Sequence, residues 1–463
     1  MRPRPSRSAA AVLAATLTAA LAATAGALAA PSPAQQAAAR DAATWLTTQL
    51  EDGVLTNFGM PDIGLTIDAL LALRATGVAP AVADHVADQV AANAAAFSFY
   101  EIDGDGDGDG DLDRIVDAGS TAKLLLAAEA AGRDPKHFGG LDLDAQTRAL
   151  IATSGPHQGR VRDTTPEVYG GDASNTFDQS LAILGLTRSG GAPADTITYL
   201  IRQQCPAGGF RLNPDPAGTA CSSDDVPDVD STAIAVQALL AAGLAPGAAT
   251  AAAKGVAWLE AKQAPDGSFV NGPQQPDPNL PSVANSNSTG LAGEALAGAG
   301  ATTAAGKAAT WVAALQLTTG TDKGALAYSA TAFAAGAIDD MTRDQWRRAT
   351  AQALLALVQI PLGDIGKPGT GSPSASASPS ASRSASPSPS ASATVSPSPT
   401  ASASSSPSAS ASSASPTATA TTTAPGGNLP VTGDPIVRIV ALAIVLLAAG
   451  IVLVVVARRR RTP

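Results

Sequence analysis

The chain has 463 residues, of which 45% are hydrophobic and 15% charged, with a formal net charge of −10. An acidic balance of this size keeps a protein soluble and argues against nucleic acid or anionic lipid as a partner. The stretch between the terminal segments is long enough for one large domain.

Residues 1–29 read as a secretory signal peptide: Arg2, Arg4 and Arg7, an apolar run from Ala9 to Ala29, and the small-x-small triplet Ala27-Leu28-Ala29. Residues 30–360 then repeat. Five segments align without gaps: Asp62–Gly77, Asp117–Gly132, Asn175–Gly190, Asp228–Gly243 and Asn285–Gly300. A shorter sixth, Lys323–Ala337, follows. The five open on Asp or Asn, whose side-chain oxygens cap the first turn of a helix. They close on Gly, which supplies a left-handed C′ position. The runs between are rich in Ala and Leu and apolar nearly all round, so they predict buried helices.

A helix of mixed polarity precedes each run: Asp41–Gln49, Pro80–Ala96, Leu143–Thr153, Asp195–Gln204, Ala248–Gln263 and Thr303–Gln316. Four of these end alike, in Gln49-x3-Gly53-x-Leu55, Gln204-x3-Gly208-x-Phe210, Gln263-x3-Gly267-x-Phe269 and Gln316-x3-Gly320. Trp45, Tyr199, Trp258 and Trp311 stand four or five residues before the Gln. Six alternations of a half-polar and an apolar helix predict two concentric rings, with the apolar helices inside. Helix 342–358 is expected to pack across the closure.

Two features interrupt the pattern. Asp105, Asp107, Asp109 and Asp111 alternate with Gly, and Asp113 follows Leu112. Calcium takes six to eight oxygens, and alternating Asp with Gly at the sharp turn is how EF-hand-like loops supply them. The twelfth position of that register is Val116 rather than a bidentate Glu, so a structural Ca2+ site and a solvated acidic loop both stay open. Cys205 and Cys221 are an even pair in a secreted chain and are expected to form a disulfide, two free thiols being the alternative. No Cys/His cluster has metal-ligand spacing.

Residues 369–427 are almost entirely Ser, Ala, Pro and Thr. With so little apolar surface to bury, they are expected to stay disordered and extended. Leu429-Pro430-Val431-Thr432-Gly433 follows, then an apolar segment at 436–457, long enough to span a bilayer, and a basic tail at 458–463.

These last three parts, in this order, resemble a sortase sorting signal. The resemblance implies that a membrane transpeptidase cuts between Thr432 and Gly433 and joins Thr432 to peptidoglycan. The implied partners are that sortase and the cell wall, with membrane contact only through the C-terminal segment before sorting. A plain C-terminal membrane anchor is the alternative.

The Gln-x3-Gly-x-Phe turns followed by Asp-x-x-Ser/Thr-Ala helices resemble the prenyltransferase and squalene-cyclase repeat superfamily over residues 36–340. The resemblance implies an all-α (α/α)6 toroid of six helical hairpins. Within it, Asp228-Val229-Asp230-Ser231-Thr232-Ala233 resembles the Asp-x-Asp-Asp-Thr-Ala motif of class II terpene cyclases, in which the central Asp protonates an alkene. Asp228 and Asp230 match it and Ser231 departs from it. Such a cyclase also needs aromatic faces to steady carbocations, and this chain is 3% aromatic. The competing reading is that Asp228, Asp230 and Ser231 only cap a helix.

The default site is therefore the rim where the N-termini of the apolar helices converge: Ser120, Asp178, Asp230, Ser231, Asn287 and Ser288. The expected function is non-catalytic binding of a small molecule or surface partner, by analogy with cobalamin carriers of the same toroid. A terpene-cyclase-like or carbohydrate-active enzyme is the first alternative, and an adhesion or spacer protein the second. Glu167, Asp172 and Asp178 lie close in sequence but form no recognisable carboxylate pair for glycoside hydrolysis.

Overall fold

Each of the five aligned segments is a helix, and its first residue is the cap. Asp62, Asp117, Asp228 and Asn285 accept the backbone N–H three residues on, and Asn175 that of Phe177. The computed structural model describes residues 30–57, 59–102, 113–270 and 283–369. The signal peptide, Asp105 to Asp111, the linker, Leu429 to Gly433, the apolar segment 436–457 and the basic tail lie outside the described residues. No helix among the described residues is long and apolar enough to cross a membrane.

In chain order the helices are α1 (Pro33–Thr47), α2 (Ile63–Thr76), α3 (Pro80–Ala92), α4 (Ala94–Ser98), α5 (Ala118–Ala130), α6 (Leu143–Ala149), α7 (Thr176–Arg188) and α8 (Ala194–Arg202). There follow α9 (Val229–Ala242), α10 (Ala248–Lys262), α11 (Ser286–Gly298), α12 (Thr302–Ala313), α13 (Ala330–Ala335), α14 (Arg343–Ala353) and α15 (Leu355–Val358). The inner ring runs α2, α5, α7, α9, α11, α14, each helix packed on the next, and α14 packs back on α2. The outer helices α1, α3, α6, α8, α10 and α12 lie against α2, α2, α5, α7, α9 and α11. The expected all-α ring of helical pairs is therefore present and closed.

Strands are minor. Three antiparallel pairs join outer to inner helices: β1 (Thr56–Asn57) with β2 (Met60–Pro61), β3 (Phe99–Ile102) with β4 (Asp113–Val116), and β5 (Phe210–Arg211) with β6 (Pro227–Asp228). The acidic loop is the connection between β3 and β4, whose register ends at Ile102 opposite Asp113.

The Gln of the repeated turn is a stitch between hairpins. Gln204 Nε2 donates to Gly208 O at 2.9 Å and to Ala251 O of α10 at 2.8 Å. Gln263 Nε2 donates to Gly267 O at 3.1 Å and to Ala304 O of α12 at 2.9 Å. Gln316 Nε2 donates to Gly324 O at 3.0 Å and to Ala38 O of α1 at 2.8 Å, which closes the ring. The Gly must be Gly because the turn presses on the next outer helix. A Cβ on Gly267 would lie 2.5 Å from Lys307 O, and one on Gly324 2.2 Å from Asp41 O. In the last repeat this glycine is Gly324 and not Gly320, so the turn is longer than the spacing suggested. Gln49 departs from the scheme: its carboxamide oxygen accepts from Arg343 and Arg347.

A second repeated bond joins the turn to the inner helix. The hydroxyls of Thr66, Thr232 and Thr289 accept the backbone N–H of Leu55, Phe210 and Phe269. Thr350 of α14 accepts that of Leu326 in the same way, at 2.8 Å. This corrects the sixth inner helix. Leu326 occupies the place of Phe210 and Phe269, so Lys323–Ala337 holds the incoming turn and the short helix α13, which has no buried residue. The sixth inner helix is α14, continued by α15. It is rich in Arg, Gln and Asp rather than apolar, and its buried Arg348 is matched by Asp62 and Asp344.

The packed chain also continues past residue 360. Leu362 N donates to Gln237 Oε1 at 2.9 Å, Arg188 donates to Ile365 O at 2.6 Å, and Pro361 packs against Gly298. The segment after α15 thus lies across the C-terminal ends of α7, α9 and α11. Cys205 and Cys221 form the expected disulfide, 16 residues apart, a closure on the order of 3 kcal/mol in the chain-entropy model.

Gln316→Ala removes the donor from two backbone carbonyls at the seam that joins the first hairpin to the last. The expected loss is about 2 kcal/mol of stability, read as a lower urea midpoint in equilibrium unfolding. An unchanged midpoint would show that the seam does not depend on this side chain.

Candidate functional site

Counting from the cap as position one, the inner helices share a register, with Thr350 fixing α14 in it. Position three is Gly64, Gly119, Phe177, Asp230, Asn287 and Arg348 around the ring. Position seven is Asp68, Lys123, Leu181, Ile234, Leu291 and Gln352, and position ten includes Gln237 and Glu294. Contacts between neighbouring inner helices join positions seven and ten, which lie on one helical face with position three. Lys123 Nζ pairs with Asp68 at 2.7 Å, Gln352 donates to Asp68 at 3.0 Å, and Gln237 donates to Glu294 at 3.2 Å.

Exposure on this face is greatest at position seven of α2 and α5. The Lys123 and Asp68 side chains keep 13% and 14%, whereas Phe177, Asp230, Asn287 and Arg348 at position three keep 6%, 3%, 3% and 8%. Gln237 and Glu294 at position ten keep 1% and 0% and are closed off from solvent. The face has two characters: polar on α2, α5 and α14, and apolar on α7, α9 and α11 through Phe177, Leu181, Ile234 and Leu291.

The rim residues separate into caps and candidates. Asp228 is a cap: Ser231 donates its N–H to Oδ1 and its hydroxyl to Oδ2, both at 2.8 Å. Ser231 is spent on that bond. Asp178 accepts from Asn175 N at 2.8 Å and completes a capping box. Ser120 N donates to Asp117, and Ser288 N to Asn285.

Asp230 is different. It stands at the second residue of α9, one axis-facing step past the cap, and is buried to 3% exposure. Its Oδ1 has no hydrogen-bond partner among the described residues. Burial, then the charge of Asp228, push its pKa up to about 7, against the smaller opposing effect of a hydrogen bond from the Ser288 hydroxyl of α11. On α11, Asn287 is equally buried and its Oδ1 is likewise unmatched. Of the rim residues, Asp230 on α9 and Ser288 on α11 are hydrogen-bonded, and Asn287 is the residue before Ser288. The rim grouping does not hold for Ser231 and Asp178 as available groups.

Glu294 was not legible as a site residue, although an acid inside the run Gly290-Leu-Ala-Gly-Glu-Ala-Leu is the visible oddity. It is fully buried, its Oε1 has no partner, and burial pushes its pKa up to about 8. Asp172, weighed earlier for hydrolysis, is instead held by Arg160 at 3.0 Å and Arg162 at 2.8 Å. Burial, the largest single effect, would raise its pKa, but Ser174, Arg160 and Arg162 together hold its carboxyl below the usual range. It is a structural carboxylate that orders the turn before α7. No group of three or more His, Cys, Asp or Glu among the described residues is arranged to hold a metal.

The sequence matches no family model, and no curated protein matches it. Among solved structures it is similar to a type II terpene cyclase from Scytonema in complex with geranylgeranyl dihydroxybenzoate, its substrate. That likeness covers 72% of this chain and 98% of the other, at 15% identity and a TM-score of 0.45. It is also similar to a wild-type glycosidase, over 71% of this chain and 97% of that one, at 14% identity and a TM-score of 0.46.

Asp228, at about 6, Asp230, at about 7, and Glu294, at about 8, hold their protons more tightly folded than unfolded, where ordinary values are 3.8, 3.8 and 4.5. Their contribution to stability is complete below about pH 4 and is lost as pH rises through the folded values. Melting temperature is therefore expected to fall between about pH 5 and pH 9. Glu294→Gln should flatten the upper part of that decline, and a slope identical to that of the parent chain would remove Glu294 from the account.

Proposed function

We propose that the chain is a secreted, wall-anchored α/α toroid that holds a small molecule at the N-terminal mouth of its inner ring. The observation that carries this reading is a pair of buried acceptors, Asp230 Oδ1 and Asn287 Oδ1, on adjacent helices with no protein donor. Folded interiors match nearly all buried polar atoms, so two unmatched acceptors at the N-termini of adjacent inner helices point to a ligand that supplies the donors. The apolar wall of Phe177, Leu181, Ile234 and Leu291 suits the carbon body of such a molecule. The Cys205–Cys221 disulfide fits an oxidising, extracellular compartment.

Native mass spectrometry of the protein purified from culture tests the binding reading. A retained small molecule is expected, and Asp230→Asn with Asn287→Ala should release it while circular dichroism stays helical. A chain that carries no ligand, or a variant that keeps it, overturns the reading. The anchoring half has its own test. Deleting residues 429–433 should move the protein from enzymatic wall digests to the membrane fraction, and a wall-linked variant would rule out sorting at that motif.

One observation favours a second reading, acid catalysis. Asp230 is a buried carboxyl that retains a proton near neutral pH, next to a second acid, which is what protonation of an unsaturated substrate requires. Phe177 is the one aromatic at the axis-facing positions three and seven, which limits cation stabilisation there. Conversion of a polyprenyl substrate by the parent chain and not by Asp230→Asn would favour catalysis over retention.

A further inference from the structure

The ring distributes its charges unevenly, and this specifies what the mouth can accept. The basic side chains of the inner helices already have partners. Arg74 pairs with Asp84, Lys123 with Asp68, Arg188 with Glu129, and Arg348 with Asp62 and Asp344. Arg347 donates to Thr56 O and Gln49. On α9, by contrast, Asp228 and Asp230 have no basic partner: the groups that bond them are the Ser231 amide and hydroxyl, the Asp230 amide and the Ser288 hydroxyl. The mouth on the α9 and α11 side therefore holds an acid without a counter-ion, beside an amide oxygen without a donor.

We propose that the ligand is an organic cation, a protonated alkylamine whose ammonium sits between Asp230 Oδ1 and Asn287 Oδ1 with its carbon body along Phe177, Leu181, Ile234 and Leu291. This deepens the small-molecule reading above and rests on it. An ammonium brings hydrogen-bond donors and the missing positive charge in one group. A neutral alcohol brings a donor alone, and a carboxylate brings repulsion. A buried carboxyl gives up its proton readily only beside a positive charge, so an ammonium supplies the partner that makes the ionised form of this acid tolerable. The aromatic face of Phe177 adds an attraction for the same charge. From position three to position seven the helix rises by roughly 6 Å, about the length of a short alkyl chain.

The test uses three probes of one shape, n-hexylammonium, 1-hexanol and hexanoate, titrated calorimetrically into the full chain near neutral pH. Hexylammonium alone is expected to bind. Asp230→Asn, which keeps the size of the side chain, should weaken it at least tenfold, and Asn287→Ala should weaken it severalfold. Equal binding of hexanol, preferred binding of hexanoate, or undiminished hexylammonium binding by Asp230→Asn overturns the cation assignment while leaving a ligand at the mouth. Failure of all three probes to bind, with no molecule retained in native mass spectrometry, overturns the mouth itself. Melting curves of each variant separate loss of binding from loss of fold.

Discussion

A carboxamide that donates to two carbonyls in different hairpins is the constraint from which the architecture follows. Gln204, Gln263 and Gln316 each tie their own turn to the next outer helix, and the glycine in the turn allows the two backbones to meet. A helical pair has no way to bury both faces by itself, and repeats of this kind must stack. The glutamine sets the angle and register at which they do. When the last stitch reaches Ala38, the stack has become a ring and no hairpin is terminal. Trp45, which donates to Asp322 at 3.0 Å, and the Arg348–Asp62 pair reinforce the same seam.

Closure changes the meaning of every polar residue on the inner helices. In an open stack, Asp68, Asp230 or Glu294 could face water. In the ring they are packed between neighbouring inner helices, where an unpaired polar group is expensive and a paired one fixes the register. On the α2, α5 and α14 side Lys123 and Gln352 both pair with Asp68, while Ser120 Oγ and Gln352 Oε1 stay unmatched. On the α9 and α11 side no basic residue pairs with Asp230 or Glu294, and Asp230 Oδ1, Asn287 Oδ1 and Glu294 Oε1 are unmatched among the described residues. The segment after α15 seals the opposite end through Gln237 and Arg188. An asymmetric axis, sealed at one end and chemically unbalanced at the other, is what makes the mouth a candidate site.

The caps, the closing glycines and the alternation of apolar with half-polar helices were legible because they are local: each is settled by residues within one or two turns. Hence the five inner helices begin where Asp62, Asp117, Asn175, Asp228 and Asn285 stand. The sixth was misplaced for the same reason. Lys323–Ala337 has the local composition of a buried helix, whereas α14 carries arginines whose burial becomes tolerable only when Asp62, distant by almost the whole domain, lies beside Arg348. Asp178 and Ser231 were grouped with Asp230 because they share a rim in sequence register. Whether a rim oxygen is spent on its own helix or left facing the axis depends on side-chain direction, which spacing does not specify.

Sequence alone determined the first five inner helices and their caps, because capping, left-handed glycine and apolar periodicity act over a few residues. Tertiary structure alone decided that α14 completes the ring, that residues 361–366 lie across its far end, and that Asp230, Asn287 and Glu294 each keep one oxygen unmatched among the described residues. Those outcomes depend on which distant charges and carbonyls come within bonding distance once the first hairpin meets the last.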